Sequence, residues 1–476
     1  MTATVIAAAS RLKIIGRAGV GVDNVDVPAA TQRGVLVVNS PEGNTIAAAE
    51  HALAMMLSLS RHVPQANAGM RAGKWDRKKY VGNELYKKTL GVVGLGKIGS
   101  HVAKVAQAMG MDVIAYDPFI AADRAKQMQV KLLELDELFR TADYVTLHIP
   151  RTKDTENLVN ADLLRTMKPT ARIVNCARGG VVDEAAISEA INQGVIAGAG
   201  LDVYASEPLA EDSPLRAVER GLVLTPHLGA STEEAQENVA IDVAEQIRDV
   251  LLGLPARSAV NIPGLSAEIM ERLKPHLQLA ETVGLLVSQL AGGHVKEMEL
   301  RLQGEFASHP SQPLVIAALK GLLSAALGDS INFVNASLEA KARGIQVLEV
   351  KDESSRDFAG GSLQITTRGD QGDRCVTGAV FADGELRITS IDEFPVNVSP
   401  SRHMLFTRHR DMPGIIGHLG SMMGEHNVNI ASMQVGRKIV RGDAVMVLSI
   451  DDPIPADLLQ KITAIDGIQE AHPVTL

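Results

Sequence analysis

The sequence predicts an α/β protein: a doubly wound parallel sheet, then a middle α+β region, then a βαββαβ unit at the C-terminus. Three observations predict it. Between Leu12 and His227, short apolar runs ending in Gly, Asn, Asp or Pro alternate with helical segments. Near-continuous apolar strands of this kind are buried on both faces, as in parallel sheets. One such run leads into Gly94-Leu95-Gly96-Lys97-Ile98-Gly99. The stretch from Ser401 to Leu476 reads strand, helix, strand, strand, helix, strand, a split βαβ order.

The strands come first as KIIGRAG and VLVVNS. LGVVGLG, MDVIAYD, ADYVTLHIP, ARIVNCARGG, IAGAGLDVY and LVLTPH follow. Helices separate most of them, and NTIAAAEHALAMMLSLSRHV and AAISEAINQG are clear cases. Residues 231–252 turn polar, then amphipathic, and read as one long helix. GLPARSAVNIPGL carries Gly and Pro breakers and marks a boundary. Beyond it ERLKPHLQLAETVGLLVSQLA predicts a helix, and QVLEVKD, SLQITTRG and LRITSID predict strands. The tail reads HMLFTRHR, PGIIGHLGSMMGEHN, NIASMQVGR, AVMVLSID, PADLLQKITAI and IQEAHPV in the strand and helix order given above. No repeat of fixed period occurs, which excludes a solenoid.

The chain has 476 residues; at ~100–200 residues per domain that gives two to four domains. Asp and Glu outnumber Lys and Arg, 56 to 47, for a net charge of −9. A general nucleic-acid binder needs a basic face, and 3% aromatic residues leave little for base stacking. Cys176 and Cys375 cannot build a disulfide framework and fit a reducing, cytoplasmic compartment. No uninterrupted apolar run reaches the ~18 residues of a membrane span. MTATVIAAASRLK has no basic segment before its short apolar stretch, so no signal peptide is expected.

The glycine motif follows a strand and opens the helix Ser100–Met109, the context that gives a GxGxxG its meaning. Gly94 permits a tight turn, Gly96 lets the backbone approach a pyrophosphate, and Gly99 allows close helix–strand packing. The anion then sits on the positive helix end. The next strand ends in Asp117, whose carboxylate can accept both hydroxyls of an adenosine ribose and would repel a 2′-phosphate. NAD is therefore expected over NADP.

Three polar residues stand where parallel strands give way to loops, the place where open α/β sheets bind ligands. Arg178 follows ARIVNCA, Glu207 follows GLDVYAS, and His227 follows LVLTP. A guanidinium can clamp a carboxylate with two parallel hydrogen bonds. An imidazole can take a hydroxyl proton as hydride leaves. A carboxylate beside it favours the imidazolium and fixes the tautomer. Cys176 reads as a small wall residue, because hydride transfer needs no thiol.

The runs GLGKIG, NCARGGVVDE, LDVYASEP and TPHLGAST together resemble the D-2-hydroxyacid dehydrogenase family. The middle region and tail are similar to the long branch of that family, which oxidises 3-phosphoglycerate to 3-phosphohydroxypyruvate at the start of L-serine biosynthesis. The resemblance implies a Rossmann-type sheet, NAD as cofactor, a homo-oligomer (dimer or tetramer), no membrane partner and no metal. It implies Arg178, Glu207 and His227 as the catalytic set. Lys97, Ile98 and Asp117 would hold pyrophosphate and ribose beside Gly94, Gly96 and Gly99. Ile149, Cys176, Ala177, Arg178, Asp202, His227, Leu228, Gly229 and Ala230 would line the nicotinamide end. Val20 and Gly21 would offer backbone N–H groups to cofactor or substrate, and Asn44 would touch substrate.

The implied organisation is a flavodoxin-like substrate domain from residues 1–41 plus 231–262, incomplete at its N-terminus, and an NAD-binding domain over 42–230. A middle α+β domain covers 266–397, resembling an allosteric substrate-binding domain, and an ACT domain, a small amino-acid-sensing module, covers 401–476. Against the family pattern the substrate domain starts late, without an arginine-bearing RSxT segment that binds the substrate phosphate. Arg17, or the cluster Lys74-Trp75-Asp76-Arg77-Lys78-Lys79 of a neighbouring subunit, would substitute; a solvated charged face is the alternative for the cluster. In the tail, His409, Asp411 and Asn429 map onto effector positions, with L-serine as the implied effector. Asp411 would pair with its ammonium group and the helix start would hold its carboxylate. The alternatives are a dimerisation unit in the tail, another D-2-hydroxyacid dehydrogenase acting on glycerate or lactate, an NAD-sensing corepressor without catalysis, and a truncated, poorly active chain.

Overall fold

The computed structural model describes residues 1–263, 267–353 and 361–476. It divides into two compact units. One comprises Arg17–Gly21 and Asn39–Glu245; the other comprises Met1–Gly16, Val22–Val38 and Gln246–Leu476.

Near the N-terminus β1 (Ile14–Arg17) and β2 (Leu36–Asn39) form a two-stranded sheet. Ile15 and Val37 close a small core with Ile6, Val25, Ala30 and Val35. Among the described residues, these two strands are what the chain holds of the expected flavodoxin-like sheet.

A larger sheet contains β3 (Thr89–Val93), β4 (Asp112–Tyr116), β5 (Lys131–Leu132), β6 (Tyr144–Leu147), β7 (Arg172–Asn175), β8 (Gly198–Leu201) and β9 (Leu222–Leu224). Its order is β5-β4-β3-β6-β7-β8-β9, and every pairing is parallel. The chain winds outward one way from β3 through β4 and the other way from β6. The crevice between the ends of β3 and β6 is thus a topological switch point. The helices Thr45–Arg61 and Lys97–Ala108 cover one face through Met55, Leu59, Val102 and Ala106. The other face is closed by Leu138, Phe139, Leu164 and Ile187. Coverage on both sides explains why β6 and β7 are buried at every position. The eight strands expected from the sequence up to His227 all form, and β5 is an addition of two residues.

In the other unit β10 (Val295–Gln303), β11 (Gln346–Asp352), β12 (Ser362–Gly369), β13 (Arg374–Val380), β14 (Leu386–Ile391) and β15 (Phe394–Val398) make a sheet of order β11-β10-β12-β13-β14-β15. The helices Ala267–Ala291 and Ser311–Leu327 supply much of its core. β10, β13, β15 and the second helix go beyond the sequence reading. That helix, counted with the turn that follows it to Ser330, is long and apolar enough to cross a membrane by composition, with mean hydropathy 1.3 in an 18-residue window. Its Leu314, Ala317, Ala318, Leu319 and Leu322 are spent on the middle-domain core.

The last sheet, β16 (His403–Arg410), β17 (Ile430–Arg437), β18 (Asp443–Ile450) and β19 (Ile468–Thr475), is antiparallel in the order β17-β18-β16-β19. All six tail elements form as expected. Leu405, Met446 and Leu448 pack with the helices Ile415–Glu425 and Ala456–Thr463. Met404, Phe406, Val445, Val447 and Val474 point the other way and join the middle-domain core.

Candidate active site

The glycine turn leaves β3 at the switch point. Gly94 has φ +94°, and a Cβ there would lie 2.5 Å from the carbonyl oxygen of His148. A Cβ on Gly99 would lie 2.0 Å from the carbonyl oxygen of Gly94. The protein itself therefore requires the first and third glycines. Gly96 is different: nothing lies within 4 Å of its Cβ position. That open space at the start of the helix Lys97–Ala108 suits a pyrophosphate, with the helix dipole behind it. Asp117 accepts from the N–H of Leu95 at 2.8 Å and of Phe119 at 2.9 Å. A carboxylate has about four lone-pair sites, so it holds the turn and keeps capacity for a ribose diol. Ile149 follows β6 and lies against Gly94, and Ile98 packs on the neighbouring core. Lys97 pairs with Glu42 at the surface.

The catalytic end is built on the loops after β7, β8 and β9. Asn175 closes β7; its amide donates to the carbonyl of Arg178 at 2.9 Å and accepts from the N–H of Ala177 at 3.1 Å. This folds Cys176-Ala177-Arg178 into a tight turn, and Arg178 Nη1 donates to the Ala177 carbonyl. Gly179 lets that turn press on Tyr204, since a Cβ would fall 1.7 Å from the Tyr204 carbonyl oxygen. Glu207 Oε1 accepts from Tyr204 N–H at 3.1 Å, and Oε2 meets His227 Nδ1 at 2.7 Å. The expected acid–imidazole pair is present, half exposed.

Asp202 is fully buried. Its Oδ1 accepts from Thr225 Oγ1 at 2.6 Å and Leu228 N–H at 2.7 Å; Oδ2 accepts from Gly229 N–H at 2.8 Å. Burial alone would raise its pKa; hydrogen bonds from His51, Thr225 and Leu228 outweigh that and hold the carboxyl below the usual range. Its work in this structure is to anchor the loop after His227. Burial, reinforced by the charge of Asp202, pushes the Cys176 thiol far up. It stays protonated, as a wall residue should.

The residues expected at the substrate side gather at the start of the helix Thr45–Arg61. Asn39 donates to the Val20 carbonyl at 2.7 Å, and Ser40 N–H to the Gly19 carbonyl at 3.0 Å, which seats the Val20-Gly21 turn there. The side-chain oxygens Asn44 Oδ1, Ser40 Oγ and Thr45 Oγ1 are buried with no hydrogen-bond partner, and buried polar groups of this kind call for one. Arg17 folds back over Gly19 and donates to the Ala18 carbonyl. Arg77, Lys78 and Lys79 form an exposed turn.

In the tail, Asp411 Oδ2 accepts from Arg437 at 2.8 Å and from the N–H of Arg441 at 3.1 Å. Asn429 donates to Asp451 at 2.7 Å, and His409 is only 2% exposed. Sequence reasoning also passed over Asn175, Thr225, Tyr204 and His51, which hydrogen-bond to the loops and side chains of the site. Thr225, two residues before His227, carried the one available signal.

A dinucleotide turn at a switch point, with an arginine, a glutamate and a histidine on the neighbouring strand ends, defines the class: NAD-dependent dehydrogenases of D-2-hydroxy acids. Residues 53–229 match the family model "D-isomer specific 2-hydroxyacid dehydrogenase, NAD binding domain". Residues 272–392 match "D-3-phosphoglycerate dehydrogenase intervening domain", and 403–467 match "ACT domain". The chain is 63% identical to D-3-phosphoglycerate dehydrogenase of a Synechocystis species, over 100% of this chain and 86% of that one. It is 44% identical to the Archaeoglobus fulgidus enzyme of the same name, over 100% and 90%. Among solved structures it is similar to the TT0316 protein of Thermus thermophilus, with TM-score 0.51 and 38% identity over 54% of this chain and 82% of that one. It is similar also to D-lactate dehydrogenase from Aquifex aeolicus complexed with NAD and lactic acid, with TM-score 0.51 and 29% identity over 56% and 84%. The chain belongs to the D-3-phosphoglycerate dehydrogenase family.

Proposed function

We propose that the chain oxidises 3-phosphoglycerate to 3-phosphohydroxypyruvate with NAD, the step that opens L-serine synthesis. The observation that carries the chemistry is the 2.7 Å contact between His227 Nδ1 and Glu207 Oε2 beside the Arg178 turn. NAD, when bound over the Gly94–Gly99 turn, supplies the hydride acceptor. His227, held through Nδ1, presents Nε2 to the substrate hydroxyl and takes its proton as hydride departs. The Glu207 carboxylate stabilises the resulting imidazolium. Arg178 binds the substrate carboxylate in a two-bond clamp, and Asn44 orients the substrate from the helix start. Arg17, or the cluster Lys74-Trp75-Asp76-Arg77-Lys78-Lys79 of a neighbouring subunit, would bind the phosphate. Gly96, Lys97, Ile98 and Asp117 hold the dinucleotide, and Ile149, Cys176, Asp202 and the segment His227–Ala230 line its nicotinamide end.

The same reading divides the chain into substrate, NAD-binding, middle and ACT domains in a cytoplasmic homo-oligomer, with L-serine acting through the ACT domain. The ACT match and the βαββαβ order support the effector role. Asp411 Oδ2 is paired with Arg437 within the chain, so an effector ammonium group would take Oδ1 or compete with that contact. The test is NADH formation with 3-phosphoglycerate, glycerate and D-lactate, with and without L-serine. We expect turnover on the phosphorylated acid, and at least a hundredfold loss in His227→Ala, as for a general base worth 10²–10⁴. Unchanged NADH formation in that variant would defeat the assignment.

A further inference from the structure

His51 lies in the second turn of the helix Thr45–Arg61, the helix that begins just after Asn44. Its Nε2 stands 3.1 Å from Thr225 Oγ1 and 3.2 Å from Asp202 Oδ1. Thr225 gives its hydroxyl proton to that same Asp202 oxygen at 2.6 Å. The Thr225 oxygen therefore accepts, and His51 Nε2 carries the proton that binds the pair together. Asp202 in turn collects the N–H groups of Leu228 and Gly229, while its carbonyl accepts the N–H of His227 at 2.9 Å. His227 needs that grip, because it sits at φ +56°. A non-glycine residue persists in the left-handed region only where its surroundings over-determine it. The chain of contacts thus runs from helix to His51, to Asp202, to the loop that aims the acid–base imidazole.

We propose that His51 is a positioning residue for hydride transfer: it ties the Asp202 carboxylate to the helix Thr45–Arg61 and thereby fixes the backbone on which His227 stands. The inference rests on the dehydrogenase reading above. A group acting this way changes the rate of the chemical step more than the binding of either reactant. His51→Leu removes the donor and leaves Asp202 and Thr225 short of a partner. We expect kcat to fall about tenfold, with KM for NAD and for 3-phosphoglycerate within about twofold of the parent. His51→Gln places an amide N–H near the Nε2 position and should recover most of the lost kcat. His51→Ala, if the leucine variant does not fold, should gain activity when imidazole is added, the small base filling the vacated space.

A leucine variant with parental kcat, or a glutamine variant no faster than leucine at equal Tm, overturns the proposal. So does an alanine variant that imidazole leaves unchanged. A parent protein that turns over none of the three hydroxy acids would bring down the dehydrogenase reading along with it. A normal parent with an insensitive His51 series would bring down the positioning role alone.

Discussion

At Gly96 and Gly99 the same added methyl group has two different consequences. On Gly99 it meets the Gly94 carbonyl oxygen at 2.0 Å, while on Gly96 it meets nothing within 4 Å. Gly99→Ala should therefore cost stability, about 1–3 kcal/mol by overpacking, visible as a lower Tm without any cofactor. Gly96→Ala should keep the parental Tm and raise KM for NAD about tenfold or more, because only the bound pyrophosphate needs that space. Equal Tm losses in both variants would mean the second glycine is structural too. Asp202 gives a second test at this scale. Its folded carboxyl is held below the ordinary range, so its contribution to stability is complete above the unfolded value of about 3.9 and is lost as pH falls through the folded value. Asp202→Asn should lower stability by about 1.5–3 kcal/mol at neutral pH. The gap in unfolding midpoint from the parent should close as pH drops below about 3.9. The glycines, Asp117, Glu207 and His227 were legible in the sequence because their chemistry depends on residue type at a strand end. Asp202 read as a ligand for nicotinamide, and its hold on Leu228 and Gly229 was not legible. Hydrogen bonds to backbone N–H groups leave no mark on the residues that provide them.

Elements were legible to the degree that their faces differ. β6 and β7 are buried throughout, and Tyr144, Val145, Leu147, Ile173 and Val174 mark them in the sequence. β10 was missed although VKEMELRLQ alternates. Met298, Leu300 and Leu302 face the core, but Glu297, Glu299 and Arg301 crowd the other side. Arg301 of the same strand pairs with Glu299, and Arg368, on the adjacent strand β12, pairs with Glu297 and Glu299, a neutralisation completed only after the strands pair. The helix Ser311–Leu327 was missed as an element of the middle core for a related reason. Its meeting with Ala267–Ala291 runs through glycine. A Cβ on Gly321 would lie 2.0 Å from the Glu281 carbonyl oxygen, and one on Gly284 would lie 2.3 Å from that of Ala318. Glycine lowers helix propensity by about 1 kcal/mol, so the residue that secures the packing weakens the sequence signal. Gly321→Ala adds helix propensity and removes the close approach. The clash should win, with a net loss of about 1–2 kcal/mol in denaturant unfolding. A stabilised variant would show that the crossing relaxes without cost.

In the unit that holds the middle and ACT sheets, one core serves both. Met404, Phe406, Val445, Val447 and Val474 of the ACT sheet pack with residues of the middle domain, and polar contacts frame the seam. Gln289 bonds the Thr475 backbone in both directions, at 2.8 and 3.0 Å. Arg374 of β13 reaches Asp392 at 2.7 Å and also Glu470 of β19. Burial alone would raise the Glu470 pKa, and the neighbouring guanidinium outweighs it, leaving the carboxyl below its usual range. An effector bound to the ACT sheet would therefore act on the middle domain as part of the same body, which is the mechanical condition for any coupling onward. Arg374→Met leaves two partly buried carboxylates facing each other without the cation. It should cost about 3 kcal/mol. The loss should appear in both sheets together, with the amides of β13 and of β18 exchanging faster by the same factor, because a shared core opens as one cooperative unit. Faster exchange confined to β18 and its neighbours would mean that the ACT sheet opens by itself and that the seam is a docking contact instead of a core.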